Sequence, residues 1–215
     1  NANFKVLLTE YPSGMTINTL LASKCFNVSE DFIVPGNGAA ELIKSLMANL
    51  EGNIGVVYPT FEEYPNRVDP SRLVVFTPEK KGFNYNCHDL ISFFSDNPVQ
   101  NLIIINPDNP SGNLIPADEL ITLVEWSNNN HVRLVVDESF ADFSAFYPKI
   151  SLLDDEILLK NNNLVVMKSI SKSFGVPGLR LGILASSDTK LNKKIKADVA
   201  IWDINSFAES FMQVF

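Results

Sequence analysis

Cysteine and histidine are almost absent from this chain: 215 residues hold two of each. The two cysteines, Cys25 and Cys87, lie far apart, and so do the two histidines, His88 and His131. No metal-ligand spacing and no disulfide framework can be drawn through them, and all four read as structural or surface residues. Such sparse cysteine suits a reducing cytosol, so a cytoplasmic location is expected. Positive charge is also short. Seventeen Lys and Arg face 25 Asp and Glu, a formal net charge of −8. A polyanion would be repelled, so neither nucleic acid nor an anionic membrane is expected as a partner. A small anion is not excluded, because local dipoles and one or two cations suffice to hold it. No apolar run reaches the ~20 residues that span a bilayer, no basic-then-apolar leader opens the chain, and internal repeats are missing.

What is present is the making of a packed core, with 46% hydrophobic residues. Short β-branched runs recur at 54–58, 73–76, 102–105, 132–136, 164–167 and 181–185, each bounded by Gly, Pro, Asn or Asp. Continuous apolar stretches of this length read as strands buried on both faces. Between them, 39–50 carries a stripe of Leu42, Ile43, Leu46, Met47 and Leu50, and 116–127 opens on Pro-x-Asp-Glu; both are expected helices. Segments 128–130 and 161–163 are expected polar turns. Strands alternating with helices predict a three-layer α/β/α domain on a mainly parallel sheet. Ligands on such a sheet lie beyond the carboxyl ends of its strands. A single large domain over 1–215 is expected. The start at Asn1-Ala2 without Met, and the end at Phe215 inside an apolar helical pattern at 200–215, suggest a piece of a longer protein.

Four segments fall near those carboxyl ends. Pro35-Gly36-Asn37-Gly38-Ala39-Ala40-Glu41 precedes a helix, so its backbone N–H groups and dipole suit an anion, although an ordinary glycine turn reads the same way. Asn106-Pro107-Asp108-Asn109-Pro110-Ser111-Gly112 leaves a strand as an irregular loop, or simply a tight turn, because proline keeps the preceding residue out of helix. Asp137 closes a buried strand and needs a partner there, whether a protonated ring nitrogen, a helix cap or an ion pair. Lys172 stands among small hydroxyls in Ser169-Ile170-Ser171-Lys172-Ser173-Phe174-Gly175, with Arg180 eight positions on. A lysine near buried apolar groups loses its proton more easily and becomes an amine nucleophile; an isolated lysine is a solvated surface residue.

In that order, the glycine-rich loop, the Asn-Pro-Asp-Asn-Pro-Ser-Gly loop, the strand aspartate and Ser-Ile-Ser-Lys-Ser-Phe-Gly-Val-Pro-Gly-Leu-Arg-Leu-Gly resemble the class I/II aminotransferases of pyridoxal-phosphate fold type I. The resemblance runs from about Tyr11 to the end of the chain and is greatest to histidinol-phosphate aminotransferase and threonine-phosphate decarboxylase. It implies that Lys172 holds pyridoxal 5′-phosphate as a Schiff base and that Asp137 pairs with the pyridine nitrogen. It implies that Asn109 bonds the ring oxygen and that Phe61 stacks on the ring. The phosphate would be held by the Gly38-Ala39-Ala40 backbone, Ser169, Ser171 and Arg180, with Tyr11 reaching in from a partner subunit.

One position departs from the pattern: Phe140 stands where family members carry a tyrosine whose hydroxyl bonds the ring oxygen. The implied activity is transamination between a small amino-acid substrate and a 2-oxo acid, in a homodimer. The alternative is decarboxylation of an amino acid, or a cofactor-binding module inactive by itself. The family's small C-terminal domain, with its carboxylate-binding arginine, and its N-terminal arm are expected to lie outside this chain.

Overall fold

The computed structural model describes residues 4–79 and 81–214, so Asn1, Ala2 and Phe215, named above, lie outside the described residues. Seven strands form one sheet: β1 Ile33–Asn37, β2 Ile54–Val57, β3 Leu73–Phe76, β4 Asn101–Ile105, β5 Arg133–Asp137, β6 Leu164–Ser169 and β7 Leu181–Ala185. Their order is β1-β7-β6-β5-β4-β2-β3. Strand β7 alone runs against its neighbours; the remaining pairings, β2 with β3 and β4, β4 with β5, and β5 with β6, are parallel. The helices are α1 Phe4–Thr9, α2 Met15–Phe26, α3 Ala39–Asn49, α4 Cys87–Asp96, α5 Ala117–Asn129, α6 Asp155–Lys160, α7 Ile170–Ser173, α8 Thr189–Asp198 and α9 Ser206–Val214.

Alternation along the strands divides the core in two, because successive side chains point to opposite faces. Leu102, Ile104, Leu134, Val136, Leu164 and Val166 pack with Leu90 of α4, Leu120 and Val124 of α5, and Ala208 of α9. Ile103, Ile105, Val135, Val165 and Met167 pack with Leu42, Ile43, Leu46 and Met47 of α3 and with Leu191 and Ile195 of α8. The result is the expected three-layer domain with a mostly parallel sheet. Among the described residues no helix is long and apolar enough to cross a membrane.

Six strands stand where the apolar runs predict them, with ends shifted by one or two residues. Strand β1 was not expected, since Pro35 and Gly36 read as a loop. It lies at the sheet edge and pairs only with β7. A proline without an N–H is tolerated there, because one side of an edge strand needs no ladder bond. Helix α5 runs on to Asn129, so Asn128 and Asn129 belong to its last turn rather than to the expected polar turn. Helix α4 is announced by a capping box between Asn86 and Asp89 that the apolar pattern alone does not reveal.

The start of α3 lies directly against β7. A Cβ added at Gly182 would come within 2.7 Å of the Gly38 carbonyl carbon and collide with the Ala39 nitrogen as well. Both obstacles are backbone and cannot rotate away. Gly182→Ala is therefore expected to cost about 1–3 kcal/mol, read as a lowered urea midpoint. Gly14→Ala, where a Cβ meets nothing within 4 Å, should shift the same midpoint by less than about 0.5 kcal/mol. Equal behaviour of the two variants would contradict the close approach.

Candidate active site

The chain topology gathers the four segments at one end of the sheet. Asp137 is the last residue of β5, in register with Ile105 of β4 and Met167 of β6. The loops carrying Asn109 and Lys172 leave those two parallel neighbours at the same end, and Phe61 follows β2, the next parallel strand. Because β7 runs the other way, its beginning lies at this end, and Arg180 immediately precedes it. The pairing of Asn37 with Leu181 then brings Gly38 to Arg180.

That meeting builds an anion cradle. Gly38 has φ 79° and ψ 159°, a conformation essentially reserved for glycine. A Cβ there would lie 2.6 Å from Arg180 Nη2, so the guanidinium rests against the bare α-carbon. The Gly38 N–H donates to the Gly36 carbonyl at 2.7 Å and is not free for a ligand; Gly38 contributes room rather than a donor. Ala39 and Ala40 open α3, and the first N–H groups of a helix have no partner within it. Glu41, in the same turn, accepts from the Asn37 N–H at 2.7 Å. Arg180 is exposed and makes no ion pair with a described residue.

Asp137 is 3% exposed. Its Oδ2 accepts from the Tyr64 hydroxyl at 2.7 Å and its Oδ1 from the Ser139 N–H at 2.8 Å. Burial first, and then the Asp137 charge and hydrogen bond, hold the Tyr64 phenol well above its ordinary range, so it remains a donor. The Ser139 hydroxyl accepts from the Ser169 N–H at 2.9 Å and ties the ends of β5 and β6 together. Tyr64 was not foreseen. Its one sequence signal is its place three residues after Phe61, a helical-turn spacing of aromatics that says nothing about Asp137.

The loop after β4 is held by its first asparagine. Asn106 Nδ2 donates to the Ile115 carbonyl at 3.0 Å, and its Oδ1 accepts from the Ile115 N–H at 2.8 Å. The Asn106 N–H donates to the Asp137 carbonyl at 2.9 Å. Asn109, half-buried, has no side-chain hydrogen bond to a described residue. The two serines of the lysine segment differ. Ser171 is consumed internally: its hydroxyl accepts from the Leu181 N–H at 3.0 Å and donates to the Leu181 carbonyl at 3.3 Å. The Ser169 hydroxyl has no such bond.

Lys172 stands on the four-residue α7, its Nζ 4.8 Å from the Phe61 ring centroid and 4.6 Å from that of Phe140. The side chain is exposed, and its apolar neighbours are two ring faces at an open mouth. Phe140, foreseen only as a missing hydroxyl, is one of those faces. Tyr11 is not at this cluster in the single chain: it is 78% exposed and stacks on Trp202 at 4.4 Å. Behind Asp137 lies Glu138, 1% exposed, accepting from the Ser151 hydroxyl and the Leu152 N–H, both at 2.5 Å. Burial pushes its carboxyl up to about 7, against those hydrogen bonds and the nearby Lys168. Among the described residues no cluster of metal-binding side chains occurs.

Residues 9–211 match the family model described as aminotransferase class I and II. The CMP-5′-(3-aminopropyl)phosphonate synthase of Streptomyces rubellomurinus is 35% identical over 213 residues, 99% of this chain and 33% of the relative. The L-serine phosphate decarboxylase of Sulfurospirillum multivorans is 27% identical over 216 residues, 99% of this chain and 55% of the relative. The chain thus spans between a third and just over half the length of these curated relatives. In structure it is similar to the histidinol-phosphate aminotransferase of Clostridium acetobutylicum, with TM-score 0.81 and 26% identity, covering 98% of this chain and 63% of the other.

Two expectations follow from the buried acids. Tyr64→Phe leaves Asp137 Oδ2 without its donor and should destabilise the cofactor-free protein by about 1.5–3 kcal/mol, measured by urea unfolding; an unchanged midpoint would remove Tyr64 from the site. For Glu138 the folded carboxyl binds its proton more tightly than the unfolded one. Its contribution is therefore greatest below pH 4.5 and is lost as pH rises from 4.5 to about 7, a fall on the order of 3 kcal/mol. Asp203, pushed by burial from 3.8 to about 6, acts in the same sense over its own window. Glu138→Gln should flatten the upper part of the stability–pH curve, and an identical slope would show that the carboxyl does not titrate there.

Proposed function

The chain belongs to the aminotransferase class I and II family, and from that premise we propose that it forms the cofactor-binding part of an enzyme that decarboxylates a phosphate- or phosphonate-bearing amino acid. The family's cofactor is pyridoxal 5′-phosphate, which, when bound, takes up the electrons released as a bond at the substrate Cα breaks. The observation that supports the cofactor-binding part of the reading is the Arg180 guanidinium seated on the bare Gly38 α-carbon at the start of α3. Guanidinium and helix N-terminus together suit a phosphate dianion.

Around that cradle each residue has a distinct task. The Lys172 amine would attach covalently to the cofactor and later return a proton to Cα. Asp137, oriented by Tyr64 and Ser139, would face the ring nitrogen and favour its protonated form. Phe61 would cover one ring face, and Asn109, whose amide is uncommitted, would donate to the ring oxygen. Ala39, Ala40 and Arg180 would hold the phosphate, with the free Ser169 hydroxyl beside them. Gly38 supplies clearance. Ser171 acts through the Leu181 backbone instead of on the ligand. Tyr11, exposed, would reach the phosphate of a second subunit in a homodimer. The single domain and a reducing, cytoplasmic setting are part of the same proposal.

Decarboxylation is preferred on two grounds. Relatives similar over nearly the whole chain are named as a phosphonate synthase and a phosphoserine decarboxylase. Lys172 also meets two hydrocarbon ring faces, Phe61 and Phe140, and Phe140 adds no hydroxyl. Closed over by a second subunit, such a mouth would exclude water from a carboxylate and so favour its loss. Transamination is the second reading, supported by the similarity to histidinol-phosphate aminotransferase. It would use the same residues, with Lys172 drawing the proton from Cα and a 2-oxo acid as co-substrate.

The protein with pyridoxal 5′-phosphate should develop a visible absorbance band that borohydride bleaches, leaving the reduced adduct on Lys172. Lys172→Ala should lose the adduct. Offered O-phospho- and phosphono-amino acids, the full-length protein should release carbon dioxide and the corresponding amine. A 2-oxo acid without carbon dioxide would replace decarboxylation by transamination, and an adduct on another lysine would overturn the assignment of the site.

A further inference from the structure

Among the described residues Lys168 is the one buried lysine, 2% exposed in the sheet interior, and its partners lead to the turn that carries Lys172. It lies on β6 and points to the face opposite Met167. Its Nζ is 2.6 Å from Asp142 Oδ2 and 4.6 Å from the Tyr147 ring centroid. The same Oδ2 accepts from the Ser173 hydroxyl at 2.9 Å. Ser173 follows Lys172 directly. Asp142 sits in the short turn Ala141–Phe143, two residues after Phe140, the ring lying 4.6 Å from Lys172 Nζ. One carboxylate oxygen thus joins a buried ammonium to both flanks of Lys172.

We propose that Lys168 is a positioning residue for Lys172: it fixes Asp142, and Asp142 in turn fixes the Phe140 turn and the Ser173 end of α7. The inference rests on the reading of Lys172 as the cofactor lysine. Stability does not account for the pair. A buried ammonium and a carboxylate only 19% exposed lose most of their hydration, and an apolar pair of similar volume is often as stable or more so. Orientation accounts for it better. Helix α7 has only four residues, too few to hold its own geometry, since a first helical turn costs more entropy than its bonds return. A charge-assisted bond at Ser173 supplies direction from outside the helix. Glu138, the other acid near Lys168, is directed elsewhere, its oxygens accepting from Ser151 and Leu152.

The test separates positioning from stability. In the full-length protein, Lys168→Met combined with Asp142→Leu removes both charges of the pair together, so the ammonium is not left buried without its partner. The readouts are the melting temperature, the stopped-flow rate at which pyridoxal 5′-phosphate attaches, and the borohydride adduct site. The double variant should melt close to wild type and still carry the adduct on Lys172. Attachment should be slower by about 10–10²-fold, as expected for misplacement of a reacting group. Lys168→Arg, which keeps a cation on Asp142, should attach within about threefold of wild type. Should the double variant not fold, Ser173→Ala breaks the last link without burying a charge and should slow attachment in the same sense. Wild-type attachment rates in the folded double variant, or in Ser173→Ala, would overturn the proposal while leaving the cofactor reading intact. No attachment in the wild-type protein would overturn the cofactor reading, and this inference with it.

Discussion

The antiparallel pairing of β7 with β1 brings Arg180 onto Gly38, and the active end is arranged around that contact. Both the helix N-terminus and the guanidinium are positive. Packing them together is unfavourable until an anion lies between or beside them. What holds them there is apolar. Leu42, Ile43, Leu46 and Met47 anchor α3 to its face of the sheet, and Gly182 lets the helix start approach β7 without a Cβ between them. The core thus supplies the free energy that holds the helix start and the guanidinium together, and an anionic ligand there would relieve their repulsion.

The same end of the sheet holds charges under contrasting conditions. Asp137 is buried and held by one hydrogen bond on each oxygen, from Tyr64 and Ser139, so its position is set before any ligand arrives. Lys172 is exposed, bordered by ring faces and free of an ion pair with a described residue. Preorganised acid and accessible amine suit a group that must hold a ring and a group that must form a bond. Between them runs a polar layer of the buried Glu138 and Lys168 and the half-buried Asp142 and Ser173. A layer of that kind is costly in a protein interior, and its cost falls where orientation matters most, behind the turn that carries the lysine.

Much of this was legible in the sequence because it depends on local pattern. The six continuous apolar runs at 54–58, 73–76, 102–105, 132–136, 164–167 and 181–185 mark strands, since burial on both faces leaves no room for polar alternation. The motif order marks the family, since Gly38, Asn109, Asp137, Lys172 and Arg180 carry chemistry that few other residue types can replace. Strand β1 escaped, because Pro35 and Gly36 oppose a strand locally and only an edge position beside β7 permits one. The roles of the two asparagines in one loop were likewise unreadable: Asn106 clamps Ile115, while Asn109 is left free.

Sequence by itself determined the layered class and the family and nominated the candidate site residues, because these rest on hydrophobic period and on side-chain identity. Tertiary structure alone decided which of them meet. Tyr64 reaches Asp137 across 73 positions, Ser171 spends its hydroxyl on Leu181, and Lys168 finds Asp142. Arg180 meets Gly38 only because one strand runs backwards. Such contacts depend on the direction of strands and the face of the sheet, and those are set by packing over the whole chain rather than by the residues on either side.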